Sequence, residues 1–279
     1  MQKIKIAAFL LALSLLLTGC GSKNFPVQVS GIEIDKKPQH VAVMTPGIAA
    51  MAVQLGYSDQ IAAVCSDSGI DKLPQVGTAV APDVEAMIDE EVDLVITTMA
   101  FSDDNKIAAE QADIQIVVLE NPTSLDGLST YYQNIAMCFE GKLGDEPAVD
   151  EYVDKMERAI VEYQQEQKPT FAIITSAGLT VAGNDTLEGD LFSKVLGQNV
   201  AADYPGYTMT LEQLVQANPQ VLIVTDTLDI GVVQSTYGLS GLQAVQSGQV
   251  YSISMQMVEQ CMPQLITQVC NIADKVYQQ

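Results

Sequence analysis

The stretch VEAMIDEEVDLVI, Val84–Ile96, decides how the chain is read. Its echo is LEQLVQANPQVLI, Leu211–Ile223. With Glu85 set against Glu212, both run through an acid, an apolar pair, a polar break and an all-apolar strand. Glu85 with Ile88, and Glu212 with Leu214 and Val215, have the spacing of a short amphipathic helix covering a sheet. Leu94-Val95-Ile96 and Val221-Leu222-Ile223-Val224 read as buried parallel strands, because a parallel sheet is covered on both faces. The unit recurs after about 127 residues, so two similar lobes are the simplest reading.

A chain of 279 residues, 48% hydrophobic, has the length and composition for one large or two ordinary domains with a sizeable core. Its formal charge of −22 excludes a general nucleic-acid binder, whose footprint is basic. Such acidity keeps a protein soluble, and it also attracts a cationic partner surface.

The first residues are not part of the fold. Lys3 and Lys5 precede an apolar run, Ile6–Leu17, that is short for a membrane span and has the form of a secretory signal. It ends in Leu17-Thr18-Gly19-Cys20, which resembles the bacterial lipobox. The resemblance implies cleavage after residue 19, lipidation of Cys20, and a polar tether over 20–37. The mature protein is then extracytoplasmic and held to the cell membrane through lipid on one residue. Four further cysteines, Cys65, Cys138, Cys261 and Cys270, are too sparse for a disulfide-stapled scaffold and read as buried free thiols.

The N-terminal lobe is expected over 38–144. Val27–Ile34 alternates and predicts an antiparallel edge hairpin with the next strand. Val41–Met44, a turn at Thr45-Pro46-Gly47, a helix Ile48–Leu55 stopped by Gly56, and a strand Ile61–Val64 make a βαβ unit. The carboxyl ends of these strands border one crevice, which is where open α/β sheets bind ligands. Strands at Leu94–Thr97 and Ile116–Leu119 follow. A helix from Ser124 and a second at 145–167, with Val149, Tyr152, Val153, Met156, Ile160 and Tyr163 on one stripe, lead out of the lobe. The C-terminal lobe, 168–279, opens with a strand at Phe171–Thr175.

The order strand, Thr45-Pro46, helix, Leu55-Gly56, strand, Leu73-Pro74-Gln75-Val76-Gly77, Pro82-Asp83-Val84-Glu85, Asp93-Leu94-Val95 is similar to the N-terminal lobe of iron-complex and cobalamin-type substrate-binding proteins. These are the extracytoplasmic receptors of ABC importers for siderophores, haem and cobalamin. The second lobe resembles the same family in Gly183-Asn184-Asp185, in Leu196-Gly197-Gln198-Asn199-Val200-Ala201-Ala202-Asp203, and in Leu242-Gln243-Ala244-Val245 through Gly248 to Tyr251. The resemblance implies two Rossmann-like α/β lobes with mainly parallel sheets. Residues 145–167 become the single long helix that joins them. It implies a monomer that takes a small molecule into the interlobe cleft and delivers it to a permease, without a cofactor of its own. It also gives Glu85 and Glu212 a role, since one acid on each lobe of that family docks into basic pockets of the permease. Exposed acids in a first helical turn are also favoured simply by the helix dipole.

Ligand-contacting candidates are the side chains at strand ends: Met44, Thr45, Ser66, Met99, Phe101, Tyr204, Tyr207, Met209, Tyr237, Met255 and Met257. Methionine and tyrosine with few charges suit a broad, partly apolar ligand, and tyrosine and methionine also ligate haem iron. Core filling is the competing reading for each. The loops carry no arginine or lysine for a strongly anionic chelate, so a neutral or cationic ligand fits them better. Enzymatic readings rest on a lone histidine, His40, with no nucleophile elbow, phosphate loop or zinc spacing elsewhere. A divalent-metal receptor of related architecture, an extracytoplasmic enzyme on a related fold and an adhesion lipoprotein are the alternatives.

Overall fold

The structure is a computed structural model that describes residues 24–143, 147–164, 168–175, 179–236 and 238–278. Two four-stranded parallel sheets form its centre. The first is made of β3 (Val41–Val43), β4 (Ile61–Val64), β5 (Leu94–Thr97) and β6 (Gln115–Val118), in the order β4-β3-β5-β6. The second is made of β7 (Thr170–Ile174), β8 (Gln198–Asn199), β9 (Val221–Thr225) and β10 (Val250–Ile253), in the order β8-β7-β9-β10. Counted within each lobe, both sheets run second, first, third, fourth. The repeat read from sequence is therefore a repeat of topology. Its two copies each supply the helix before the third strand: α2 (Val84–Asp89) before β5, and α7 (Leu211–Ala217) before β9.

The other helices fill in around this plan. They are α1 (Pro46–Gln54), α3 (Asp103–Gln111), α4 (Leu125–Glu140), α5 (Pro147–Glu162), α6 (Leu187–Val195), α8 (Ile230–Ser235), α9 (Gln243–Gln246), α10 (Met255–Glu259) and α11 (Gln264–Tyr277). Local chemistry sets many of their starts. Asp83, Ser102, Ser124 and Thr186 each accept a hydrogen bond from a first-turn amide. Thr210 and Gln213 form a reciprocal capping box at α7. Pro46 occupies the first turn of α1, where its missing N–H costs nothing.

The alternation along each strand separates three apolar layers. Val41, Val43, Leu94 and Ile96 face a large central cluster, and so do Phe171, Ile173, Val221 and Ile223 of the other sheet. That cluster also takes in α4, α5, α6 and α11, so it is continuous between the lobes. Ala42, Met44, Ala63 and Val95 face an outer layer beneath α2 and α3. Ala172, Ile174, Leu222 and Val224 face the matching layer beneath α7, α8 and α9.

The chain passes from the first sheet to the second between β6 and β7, through α4 and α5. Sixteen residues of α5 give a rod of about 24 Å. Its Met156 and Ala159 and the following Tyr163 are buried, and it packs on α11 and α6 of the second lobe and on α4 of the first. Residues 145–146 and 165–167 of the expected 145–167 helix lie outside the described residues, as does Cys20.

Two expectations change near the N-terminus. β1 (Val27–Val29) and β2 (Ile32–Ile34) form a hairpin with each other and share no ladder with β3. Ser30 and Gly31 both take positive φ, as a two-residue hairpin turn requires. Phe25, Val27, Val29 and Ile34 are buried in the central cluster. The tether expected over 20–37 is therefore folded chain from Phe25 to Ile34, because Val27, Val29 and Ile34 bury their side chains and seat a short hairpin. None of the described helices is long and apolar enough to cross a membrane.

All four described cysteines are buried and free. Burial pushes the thiols of Cys65 and Cys261 up to about 12, and raises those of Cys138 and Cys270. Thiolate is the reactive form. A chain starting at Gly21 is expected to show almost no reaction with a thiol reagent at pH 8 while folded. In denaturant it is expected to show four reactive thiols. Rapid reaction of the folded protein would contradict this burial.

Candidate functional site

In a sheet ordered second, first, third, the crevice opens at the carboxyl ends of the first and third strands, where the connections diverge to opposite faces. In the first lobe these are β3 and β5. The loops beyond them are joined: Thr45 Oγ1 accepts from Thr98 N at 3.1 Å and lies 3.2 Å from Thr98 Oγ1. Thr97 Oγ1 holds the backbone of Met99 by accepting from its N–H and donating to its carbonyl, both at 3.2 Å. Met99 itself is 45% exposed. Ser66 and Asp67, beyond β4, are exposed on the same side.

The two sheets turn these ends toward one another. Gly47, just past β3, lies against the backbone of Gln260, which follows β10. Leu125, just past β6, donates its N–H to Asp190 of α6 at 2.8 Å. Tyr132 of α4 donates its hydroxyl to the carbonyl of Cys261 at 2.6 Å. These seams hold the carboxyl-end side of the first lobe against the second lobe.

On the second lobe the wall is built by two interlocked loops. Gly183 N donates to the Gly206 carbonyl at 2.6 Å, and both Asp185 carboxylate oxygens accept from Gly206 N at 2.7 and 2.9 Å. A Cβ at Gly183 would sit 2.2 Å from the Tyr204 carbonyl, and one at Gly189 would sit 1.8 Å from the Gly183 carbonyl. The glycine-bearing loop is thus glycine-bearing because its own backbone and that of 204–206 close over it. Asp226, at the end of β9, accepts from Met255 N at 2.9 Å and fixes the start of α10.

This packing places Tyr207 over a buried acid. The Tyr207 hydroxyl donates to Glu188 Oε1 at 2.9 Å, while the residue remains 44% exposed. Glu188 is almost wholly buried, and burial raises its carboxyl above the ordinary glutamate range. Burial also raises the Tyr207 phenol, reinforced by Glu188, Asp185 and Glu259. The pair can present a fixed phenol to the cleft, acting through an oxygen whose proton is directed at Glu188.

The candidates divide by placement. Thr45, Ser66, Met99, Tyr204, Tyr207, Met255 and Met257 are exposed or half-buried near the carboxyl ends. Met44, Phe101 and Met209 are not available to a ligand in this structure, being 0%, 6% and 4% exposed. Met44 continues β3 and shares the face of Ala42, so its side chain enters the layer beneath α2 and α3. Phe101 fills the same layer, and Met209 fills its counterpart in the second lobe. These three are corrected to core. Tyr237 lies outside the described residues. Glu188 was not among the candidates, because an acid in a first helical turn is ordinarily a solvated partner of the helix dipole. Only its burial distinguishes it.

His40 sits at the amino end of β3, with Nδ1 3.1 Å from the Glu91 carbonyl, at the opposite end of the sheet from these loops. Among the described residues no group of three or more His, Cys, Asp or Glu is gathered as a metal set. A hollow of about 1040 Å³ lined by Lys168, Gln198, Asn199 and Gln220 lies at the amino ends of β7 and β8. That is the wrong end of the sheet for the cleft.

The charge on Glu188 gives a pH-dependent expectation. A carboxyl raised on folding contributes stability fully below the unfolded value of about 4.3, and loses it as pH rises through the folded value. Glu188→Gln keeps an acceptor for Tyr207 and removes the charge. The variant is expected to match the parent in thermal unfolding near pH 4.5 and to exceed it progressively toward pH 8. A difference that does not change with pH would contradict the buried-acid description.

The geometry agrees with comparisons of the whole chain. A profile of the periplasmic binding protein family matches residues 41–256. A Bacillus subtilis (strain 168) protein described as an uncharacterized ABC transporter substrate-binding lipoprotein, YvrC, is 25% identical over 311 residues, covering 99% of this chain and 98% of its own. Among solved structures, the periplasmic haem-binding protein HutB of Vibrio cholerae superposes with a TM-score of 0.74 at 18% identity, covering 86% of this chain and 99% of that one. The vitamin B12-binding protein BtuF of the same organism gives 0.67 at 17%, covering 87% and 99%. The molybdate-binding protein MolA of Haemophilus influenzae gives 0.68 at 18%, covering 90% and 91%. At such identities the structures establish a shared fold. With the profile spanning both lobes, the chain belongs to the periplasmic binding protein family, the substrate-binding proteins of ABC importers.

Proposed function

We propose that the protein captures a metal chelate of the haem, cobalamin or ferric-siderophore class between its lobes and hands it to an importer permease. The observation that supports this reading is the seam at Gly47 and Gln260, which brings chain past the carboxyl ends of the two sheets together. Thr45, Met99 and Ser66 lie on one side, and Tyr204, Tyr207 and Met255 on the other. The family is one of transport receptors rather than enzymes, and relatives of the same fold are described as binding haem and vitamin B12. The loops 98–102, 203–209 and 254–260 carry Asp, Glu, Met and Tyr but no Lys or Arg, which favours a neutral or cationic ligand over a strongly anionic one. Domain limits at 38–144 and 168–279, with α5 as the stiff link, fit such a clamp. The lipobox at Cys20 anchors it on the outer side of the cell membrane, with YvrC, a named lipoprotein, in support.

Glu85 and Glu212 serve docking in this reading. Both are exposed in the first turns of α2 and α7, on equivalent positions of the two lobes. Each helix starts at the carboxyl end of its sheet, on the side of the cleft.

Equilibrium dialysis against haem, cobalamin and a ferric hydroxamate siderophore tests the site. One of them is expected to bind saturably at one per chain, and Met99→Ala with Tyr207→Ala is expected to weaken it at least tenfold. Full affinity in that double variant would move the site elsewhere.

A further inference from the structure

Glu188 and Tyr207 come from two segments that are each fixed by their own bonds. Thr186 caps α6 by accepting from Gly189 N at 3.1 Å, and its hydroxyl donates to the Gly183 carbonyl at 2.9 Å. The first turn of α6 is thereby clamped to the loop before it, and it carries Glu188 inward to 1% exposure. Tyr207 follows Gly206, which is tied to Gly183 and to both carboxylate oxygens of Asp185. The bond between the Tyr207 hydroxyl and Glu188 therefore joins two preset positions and is made before any ligand arrives. An exposed phenol can take its hydrogen bonds from water, so nothing in Tyr207 itself demands this partner. The charged groups that bear on the phenol are all acids: Glu188 of α6, Asp185 of the preceding loop and Glu259 of α10. Cys261, which also lies near Glu188, is a buried thiol held in its protonated form.

We infer that Glu188 is a positioning and specificity-determining residue: it commits the Tyr207 proton inward, so that Tyr207 meets the bound molecule as a neutral phenol and not as a phenolate ligand to its metal. This rests on the proposed binding of a chelate in the cleft and narrows the kind of chelate. A phenol binds iron as an anion, and to do so here it must lose its proton beside a carboxyl group. Even a raised carboxyl gives up its proton well before a phenol does. At any pH where Tyr207 would ionise, Glu188 is already an anion, and two like charges at hydrogen-bond distance in a buried place oppose each other strongly. No lysine or arginine of the loops 98–102, 203–209 and 254–260 is there to offset them. With its proton engaged, the Tyr207 oxygen retains only acceptor capacity toward a ligand. The fitting molecule then closes its metal with its own donor atoms on this side, and offers N–H or O–H groups at its edge.

The test is an ultraviolet titration of tyrosinate in the purified, ligand-free protein, read as the parent minus Tyr207→Phe. At pH about 10 an ordinary tyrosine is half ionised. The expected difference there is close to zero, because Tyr207 keeps its proton. The same difference taken in a Glu188→Gln background, which keeps an acceptor and removes the charge, is expected to show tyrosinate appearing at lower pH than in the parent. A Glu188 that only holds the fold together would alter stability without moving this titration. Half an equivalent of tyrosinate from Tyr207 in the parent at pH about 10, or identical titrations in the two backgrounds, would overturn the inference. Ferric haem serves as a second probe. Its complex with the parent is expected to lack the tyrosinate-to-iron charge-transfer band, and such a band that Tyr207→Phe abolishes would equally overturn it. Failure of haem, cobalamin and a ferric siderophore all to bind would remove the chelate reading instead, and the ligand-free titration would still decide the role of Glu188.

Discussion

Exchanging Glu85 and Glu212 together for arginine is expected to abolish import and leave ligand affinity unchanged. In the proposed docking each reversal converts an attraction to a basic pocket into repulsion, and like charges set against each other across an interface cost several kcal/mol. Two such penalties act on one complex. At about 1.4 kcal/mol per tenfold, import falls by several orders of magnitude. Binding is spared because neither carboxylate is in an ion pair among the described residues and neither belongs to the interlocked loops around Tyr207. The folded chain is spared too, since both side chains are exposed and their helices are capped by Asp83 and Thr210. The measurement is uptake of the bound ligand by cells that carry only the variant, alongside dialysis of the purified protein. Normal uptake would remove Glu85 and Glu212 from the account.

A second large effect is expected at Gly47. A Cβ there would lie 2.1 Å from the Gln260 carbonyl oxygen, 2.8 Å from its carbon and 2.9 Å from its Cα. All three obstacles are backbone, so no side-chain rotation relieves the contact. The position lies on the seam between the lobes, where α1 starts and the chain beyond α10 passes. Gly47→Val forces that seam open. Overpacking of this kind costs about 3 kcal/mol, which for a protein of this size lowers the midpoint of thermal unfolding by roughly 6–12 °C. Ligand affinity is expected to fall with it, because the walls of the cleft no longer meet at their natural separation. Gly241→Ala is the matching control. Nothing lies within 4 Å of its added carbon, so stability is expected to stay level or rise slightly. Equal behaviour of the two variants would contradict the seam as described.

The strands were legible because a parallel sheet covered on both faces leaves an unbroken apolar run, and VLIV or LVIT has few other uses. The likeness of the two lobes was legible through the repeat of helix and strand around Glu85 and Glu212, while the strand order itself, the same in each lobe, came from the structure. Side-chain direction at strand ends was harder. Met44 was read as a strand end reaching the crevice, yet its N–H donates to the Ile96 carbonyl at 2.9 Å, and the two-residue alternation buries it with Ala42. Thr45, one residue later, falls on the other side. The short helices posed a similar difficulty, since two adjacent apolar residues after an acid do not say which one faces the sheet. Val84 and Met87, three apart, fix the buried face of α2 and leave Ile88 outside. Glu188 was invisible for a different reason. Its burial depends on Tyr207 and the 183–206 loop contacts, which are distant in sequence and carry no periodic signal.

The central claim is that this chain is a receptor whose cleft holds a metal chelate. Its most direct test is thermal unfolding of the soluble form starting at Gly21, alone and with haem, cobalamin, ferric siderophores and free divalent metal ions in turn. A ligand at 100 times its dissociation constant adds about 2.7 kcal/mol to the folded state, which raises the midpoint by several degrees. The account predicts such a rise with one chelate and none with the free metals. No rise with any chelate, or a rise with a free metal ion alone, would contradict it.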